Sequence, residues 1–251
     1  MANTIKITAR GRVPVLEIYG EIGKGDLTVP AFSRAWRGLG NPAEAEIRIS
    51  SPGGDCFAGA AIFDIIAGSS TRVTSIVDGI AASMGSYVFM VGHRRIVGAG
   101  SQLMIHDPSA AVGGGAEDLK RGAALLESIR RRMAEVYSKR TGLPEDTIRK
   151  MMEAETWMDA DEAIRLGFAA EKGADLKVAA SAFDLSGRGF RNVPKLGGPK
   201  TLGELSAQYW AARGKPVPHV PENPDVSDLV PTPITQAEAF ANFHGKHRGR
   251  R

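Results

Sequence analysis

Val73-Thr74-Ser75-Ile76-Val77-Asp78-Gly79-Ile80-Ala81-Ala82-Ser83-Met84-Gly85 passes from a strand pattern into a helix pattern across a single hydroxyl residue. Val73 to Val77 is β-branched and reads as a strand, while Ala81 to Val91 is rich in small residues and reads as a helix. Ser83 falls at that junction between small neighbours. A hydroxyl so placed is accessible, has the N–H groups of a helix start nearby and meets little steric resistance, which suits a nucleophile. The segment is not a Gly-x-Ser-x-Gly elbow, because Ala81 holds the first glycine position. Ser83 as a simple helix cap is the plainer alternative.

Outward from this stretch, strand and helix patterns alternate. Val13 to Tyr19 alternates as a strand, Val29 to Leu39 has helical spacing, and Ala45 to Ile49 is a second strand running into the Ser51-Pro52-Gly53-Gly54 turn. Phe57 to Ala67 is an apolar helix closed by Gly68. Beyond the central stretch, Arg95 to Val97 and Gln102 to Ile105 are short strands. This order predicts an α/β fold with parallel strands, since each crossover helix covers one face of the sheet. Glu117 to Arg140 is the longest helix, with Leu119, Ala123, Leu126, Ile129, Met133 and Val136 on one stripe that needs a further surface to cover it. Gly142-Leu143-Pro144 ends it, Pro144 opens another helix, and Asp159-Ala160-Asp161-Glu162 starts a last one that stops at Gly167.

Two more segments carry chemistry. Met104-Ile105-His106-Asp107-Pro108 delivers a histidine at a strand end, where imidazole can serve a nearby hydroxyl as general base. A lone surface histidine is the alternative. Ser51-Pro52-Gly53-Gly54-Asp55 has adjacent glycines that can aim N–H groups into a cavity, as an oxyanion requires, or that make an ordinary turn. His93 sits in what reads as a solvent-facing turn, and Gly113-Gly114-Gly115 fits either a lid or a loop. Cys56 has no histidine or cationic neighbour to lower its pKa, which argues against a thiol nucleophile.

Composition bounds the class. With 43% hydrophobic and 24% charged residues the 251-residue chain reads as an ordinary globular protein. One cysteine excludes an intrachain disulfide and a cysteine-based zinc site. No run approaches the roughly 18 apolar residues of a membrane span, and no leader pattern opens the chain, so an intracellular, cytoplasmic protein is expected. Net charge is +4, unevenly spread: residues 1–171 hold 20 Lys and Arg against 21 Asp and Glu, and residues 172–251 hold 12 against 7. Eight of the 14 prolines lie in that last part. We therefore expect a folded domain over residues 1–175 and an irregular, proline-rich basic arm over 176–251, with short helical candidates at Thr201 to Arg213 and Gln236 to His244. The near-neutral domain makes nucleic acid an improbable partner for the core, and the arm a docking element for an acidic one.

Taken in order, Ser51-Pro52-Gly53-Gly54, Gly79-x-Ala81-Ala82-Ser83-Met84-Gly85 and Met104-Ile105-His106-x-Pro108 resemble the three hallmarks of the Clp peptidase family of serine proteases. The resemblance covers about residues 13 to 171. It implies stacked ββα units shared with the crotonase superfamily, a protruding handle helix from Glu117 onward, and self-assembly into rings around an enclosed chamber. It further implies Ser83 as nucleophile, His106 as general base, and the backbone N–H groups of Gly54 and Met84 as the oxyanion hole, with no metal or organic cofactor. The family's third triad residue, an Asp, corresponds to Glu155, one methylene longer, which can still orient an imidazole. Asp159 is the alternative, although its place before a helix suggests a cap.

Leu16-Glu17-Ile18-Tyr19-Gly20-Glu21-Ile22-Gly23, Glu155-Thr156-Trp157-Met158 and the arm look most like Clp-type head-maturation proteases of tailed phages and prophages. Capsid or scaffold proteins would then be substrates, in the host cytoplasm or assembling virion. General intracellular protein degradation, a capsid-assembly scaffold with little activity, and a crotonase-type acyl-CoA enzyme are the rival expectations.

Overall fold

The computed structural model describes residues 3–174, 185 and 188–194. In chain order the elements are β1 (Thr4–Arg10), β2 (Val13–Tyr19), α1 (Val29–Gly38), β3 (Glu44–Ser51), α2 (Cys56–Ala67), β4 (Arg72–Ala82), α3 (Met84–Phe89), β5 (Arg94–Gly98) and β6 (Gln102–Ile105). They continue with α4 (Ala116–Thr141), α5 (Glu145–Glu153), β7 (Thr156–Met158), α6 (Ala160–Arg165) and β8 (Glu171–Gly173). The sheet runs β1-β2-β3-β4-β5-β8, with β1 antiparallel to β2 and every later neighbour in that series parallel. This is the expected α/β architecture, with α1, α2 and α3 contributing the buried apolar faces that the parallel strands require.

Two features depart from the local sequence pattern. The strand expected at Val73 to Val77 runs on through Ala82, so Ile80, Ala81 and Ala82 are strand residues, and α3 starts only at Met84. Sheet pairing overrides local propensity here: β4 is buried along nearly its whole length and serves two partners in succession. Thr74–Val77 pairs with β5, and Ile80–Ala82 pairs with β6. Gly79, at φ +86°, makes the bend between the two, and its N–H donates to Ser101 Oγ, which itself donates to Val77 O. Secondly, β1 and the short β7 and β8 do not stand out as sequence patterns; each is completed by pairing with β2, β6 and β5 respectively.

Tyr87 packs against both Phe63 and Tyr137 and so joins α3 to α2 and α4, and burying each such ring contributes on the order of 2 kcal/mol. A polar brace crosses the sheet beside this core. Arg48 donates to both carboxylate oxygens of Asp78 at 2.7 and 2.6 Å and to Glu46 at 2.8 Å, and Tyr19 donates to Asp78 at 2.6 Å. The handle helix α4 divides in two: Met133, Val136 and Tyr137 are buried, whereas Leu119 and Leu125 are about half exposed (50% and 48%) on the part that projects from the domain.

Past β8, Leu185 is buried against Ile80, Ala82, Met104 and Trp157, and Phe190 packs on the same group. The helical candidates at 201–213 and 236–244 lie outside the described residues.

Candidate active site

The fork in β4 positions the site. Ala82 pairs with Met104 in parallel register, so the residues that leave the two strands, Ser83 and His106, emerge side by side although 23 positions apart. Ser83 N–H donates to Met104 O at 3.0 Å and fixes the junction. His106 Nε2 then lies 2.8 Å from Ser83 Oγ, the distance of a hydrogen bond that can carry a proton.

Ser83 has φ +54° and ψ −126°, a conformation that costs an L-residue on the order of 1–3 kcal/mol and that surrounding structure must enforce. It points the hydroxyl off the sheet at the start of α3, as in strand-turn-helix nucleophile elbows. Its side chain makes no capping bond to the helix. The cap alternative therefore gives way to the contact with His106. Small neighbours are a packing requirement: a Cβ at Gly53 would stand 2.6 Å from Ser83 Cβ, and one at Gly85 would stand 2.9 Å from Ser51 O.

Gly54 lies in an isolated parallel bridge with Ile22. The bridge uses Gly53 O, which accepts from Ile22 N, and Asp55 N, which donates to Ile22 O. The N–H of Gly54 therefore faces the other way, and neither it nor the N–H of Met84, the first residue of α3, has a hydrogen-bond partner among the described residues. These are the two donors expected of an oxyanion hole. Both Gly54 and Ser83 line a cleft with His106, Glu21, Arg188 and Phe190.

His106 is largely buried, which pushes its pKa below the ordinary histidine value; the charges of Glu155 and Asp107 act in the opposite direction and Arg191 adds to the lowering. The imidazole is thus neutral near pH 7, the form a general base needs. Glu155 is buried (2% exposed) at φ +53°. Its carboxylate accepts from Trp157 Nε1 and from the backbone N–H groups of Arg191 and Asn192. Among the described residues it makes no hydrogen bond to His106. Asp159 is engaged elsewhere: its side chain accepts from Glu162 N at 2.8 Å as the N-cap of α6.

The other sequence candidates take structural roles. His93 Nδ1 accepts from Val73 N at 3.1 Å, so this side chain is tied to the start of β4 and is not a free turn residue. Cys56 is half-buried, and burial with the Asp55 charge raises its pKa, which keeps the thiol protonated and unreactive. Gly113 to Gly115 lead exposed into α4. Sequence reasoning missed Phe190, whose ring meets the His106 imidazole edge-on at 5.4 Å and the Trp157 indole at 5.9 Å. No local pattern marked it, because a single aromatic in a Gly- and Arg-rich segment has no periodicity.

The sequence profile of the Clp protease family matches residues 41–172, more than half of the chain, from before β3 into β8. The chain belongs to the Clp protease family. This Clp protease chain is accordingly a serine endopeptidase, and the ordered set Gly54, Ser83, Met84 and His106 lies inside the matched region. Similar proteins include the ATP-dependent Clp protease proteolytic subunit of Pleurastrum terricola, 38% identical over 132 residues, which are 50% of this chain and 67% of the relative. Subunit 3 of Rhodococcus jostii is 39% identical over 117 residues, 46% of this chain and 58% of the relative. Subunit 1 of Chlamydia caviae is 39% identical over 123 residues, 47% and 64%. The matches to the last two thus span less than two thirds of those relatives' length. Among the described residues no helix is long and apolar enough to cross a membrane.

Proposed function

We propose that this Clp-type peptidase cleaves peptide bonds through an acyl-enzyme on Ser83, with His106 as general base and Glu155 as the carboxylate of the triad. The observation that carries this reading is the 2.8 Å contact between Ser83 Oγ, held in a strained elbow, and the largely buried His106. His106 Nε2 takes the hydroxyl proton as Ser83 Oγ bonds to the scissile carbonyl carbon, and the carbonyl π pair moves to oxygen. The N–H groups of Gly54 and Met84 hold that oxyanion. Collapse breaks the C–N bond, the amine leaves with the proton from His106, and water repeats the sequence to release the acid. No metal or organic cofactor enters these steps.

The same reading extends to assembly and substrate. The half-exposed Leu119 and Leu125 on the projecting part of α4 suit burial between subunits of a homo-oligomeric ring. Phage capsid and scaffold proteins are the proposed substrates, supported by the Leu16 to Gly23 and Glu155 to Met158 segments and by a basic arm that would dock on an acidic assembly partner. The names of the curated relatives favour a second reading, general protein degradation by an ATP-dependent Clp protease. Incubating the full chain with capsid or scaffold precursor, beside Ser83→Ala, separates them. Discrete cleavage without ATP or an unfoldase, absent in Ser83→Ala, supports head maturation. Intact activity in Ser83→Ala sinks the mechanism, and turnover only with an unfoldase and ATP favours degradation. Native mass spectrometry reads the ring.

A further inference from the structure

We propose that residues 188–192 of this chain are an intramolecular strap that crosses the catalytic cleft and holds Glu155 away from His106, so that the triad completes only when the strap leaves. The proposal rests on the assignment of Ser83, His106 and Glu155 above.

The strap is fastened on both sides of the catalytic pair. At one end Arg188 Nη2 donates to Glu21 Oε2 at 3.0 Å, on the cleft wall that carries Ile22 and Gly54. At the other, Arg191 N donates to both oxygens of Glu155 at 2.8 Å, and Asn192 N donates to Oε1 at 2.7 Å. Two further bonds flank this anchor: Arg191 Nη2 to Glu153 O at 2.7 Å and Asn192 Nδ2 to Ala154 O at 2.8 Å. Phe190 lies between the two fastenings, edge-on to the His106 ring. A substrate strand that approaches Ser83 must therefore share the cleft with Arg188 and Phe190, which line it.

The consequence for Glu155 follows from hydrogen-bond supply. A carboxylate this deeply buried must be compensated by donors. The strap provides most of them, Trp157 Nε1 provides another, and among the described residues none comes from His106. The imidazole Nδ1 likewise has no partner among the described residues. Removing the strap takes two backbone donors from a buried anion while a neutral imidazole with an unused N–H stands nearby. The cheapest replacement is the Glu155 to His106 Nδ1 bond that a serine, histidine and acid triad uses. Strap release and triad assembly are then one event, and the cleft opens as the acid engages.

The test uses the full chain and three readouts. Fluorophosphonate labelling of Ser83 is timed in wild type, Phe190→Ala, Arg188→Glu and the charge-swapped pair Glu21→Arg with Arg188→Glu. The expected result is labelling at least about tenfold faster in both single variants and a return toward wild type in the swapped pair; unchanged or slower labelling in the single variants overturns the proposal. Glu155→Gln is then introduced into Arg188→Glu, where the released strap leaves the acid to engage His106: labelling at least about tenfold slower than in Arg188→Glu is expected, and a loss below about twofold overturns the link between strap and triad. Hydrogen exchange at the Arg191 and Asn192 amides reads docking without reference to activity: slow exchange in wild type and fast exchange in Phe190→Ala supports the strap, and fast exchange in wild type removes it. Failure of Ser83 to label in every chain, with both amides protected, overturns the assignment of Ser83 and not the docking.

Discussion

Replacing Gly54 by alanine probes the site at its most constrained backbone position. Gly54 has φ +143°, in a region that costs an L-residue roughly 1–3 kcal/mol. An added Cβ would also stand 2.1 Å from Ile22 O and 2.9 Å from Ile22 C and N, all backbone atoms that cannot rotate aside. Relief requires the Ile22 to Gly54 bridge to open, with loss of its 2.8 and 3.0 Å hydrogen bonds, each contributing about 1 kcal/mol. Together these give a loss of about 3–5 kcal/mol, or a fall in Tm of roughly 10 °C for a domain of this size. The bridge also aims the Gly54 N–H, so kcat should fall by about 10²–10³, the usual effect of losing one oxyanion donor. Gly40→Ala is the control: its φ is +73° and an added Cβ meets nothing within 4 Å, so it carries the backbone cost alone, about 1–2 kcal/mol. Thermal unfolding and peptide hydrolysis of the two variants are compared side by side. A Gly54→Ala protein that is no less stable than Gly40→Ala, or that keeps wild-type kcat, would refute both the packing argument and the oxyanion role.

Further outcomes are expected on the same basis. Because burial lowers the His106 pKa, the neutral base persists below the ordinary value of about 6.5, so kcat/KM should stay flat as pH falls through 6.5 and drop only at lower pH; an acid limb above 6.5 in the pH profile contradicts this. Asp159→Ala should cost about 1 kcal/mol in thermal unfolding by removing the α6 cap while leaving Ser83 labelling unchanged, and a large loss of labelling would return Asp159 to the triad. Asp78→Asn should cost roughly 3 kcal/mol in urea unfolding, because it leaves the Arg48 guanidinium short of its bidentate partner inside the sheet; a loss below about 1 kcal/mol would show that the brace is solvated.

Much of the site was legible because its parts are local. Ser83 among small residues, His106 before a proline break and the paired glycines at 53 and 54 each carry a steric or chemical demand that only a few residue types meet. The extent of β4 was not legible, since Gly79-Ile80-Ala81-Ala82 is compatible with a helix start, and it is pairing with β6, and with β3 at Ser51 and Ala81, that holds it as strand. The capping role of Asp159 could be read from its place before a helix, whereas the partners of Glu155 could not, because they come from 36 and 37 residues further on.

The sequence by itself determined the alternation of strands and helices, the candidates for nucleophile, base and oxyanion donors, and the split of charge between a near-neutral first part and a basic last part. Periodicity, turn chemistry and charge are properties of neighbours in the chain. Tertiary structure alone decided that Ser83 meets His106 and not another group, that Glu155 faces Arg191 and Asn192, and that Phe190 reaches the imidazole. Those contacts depend on strand register and on where a distant segment finds buried donors and apolar surface, and no local pattern encodes either.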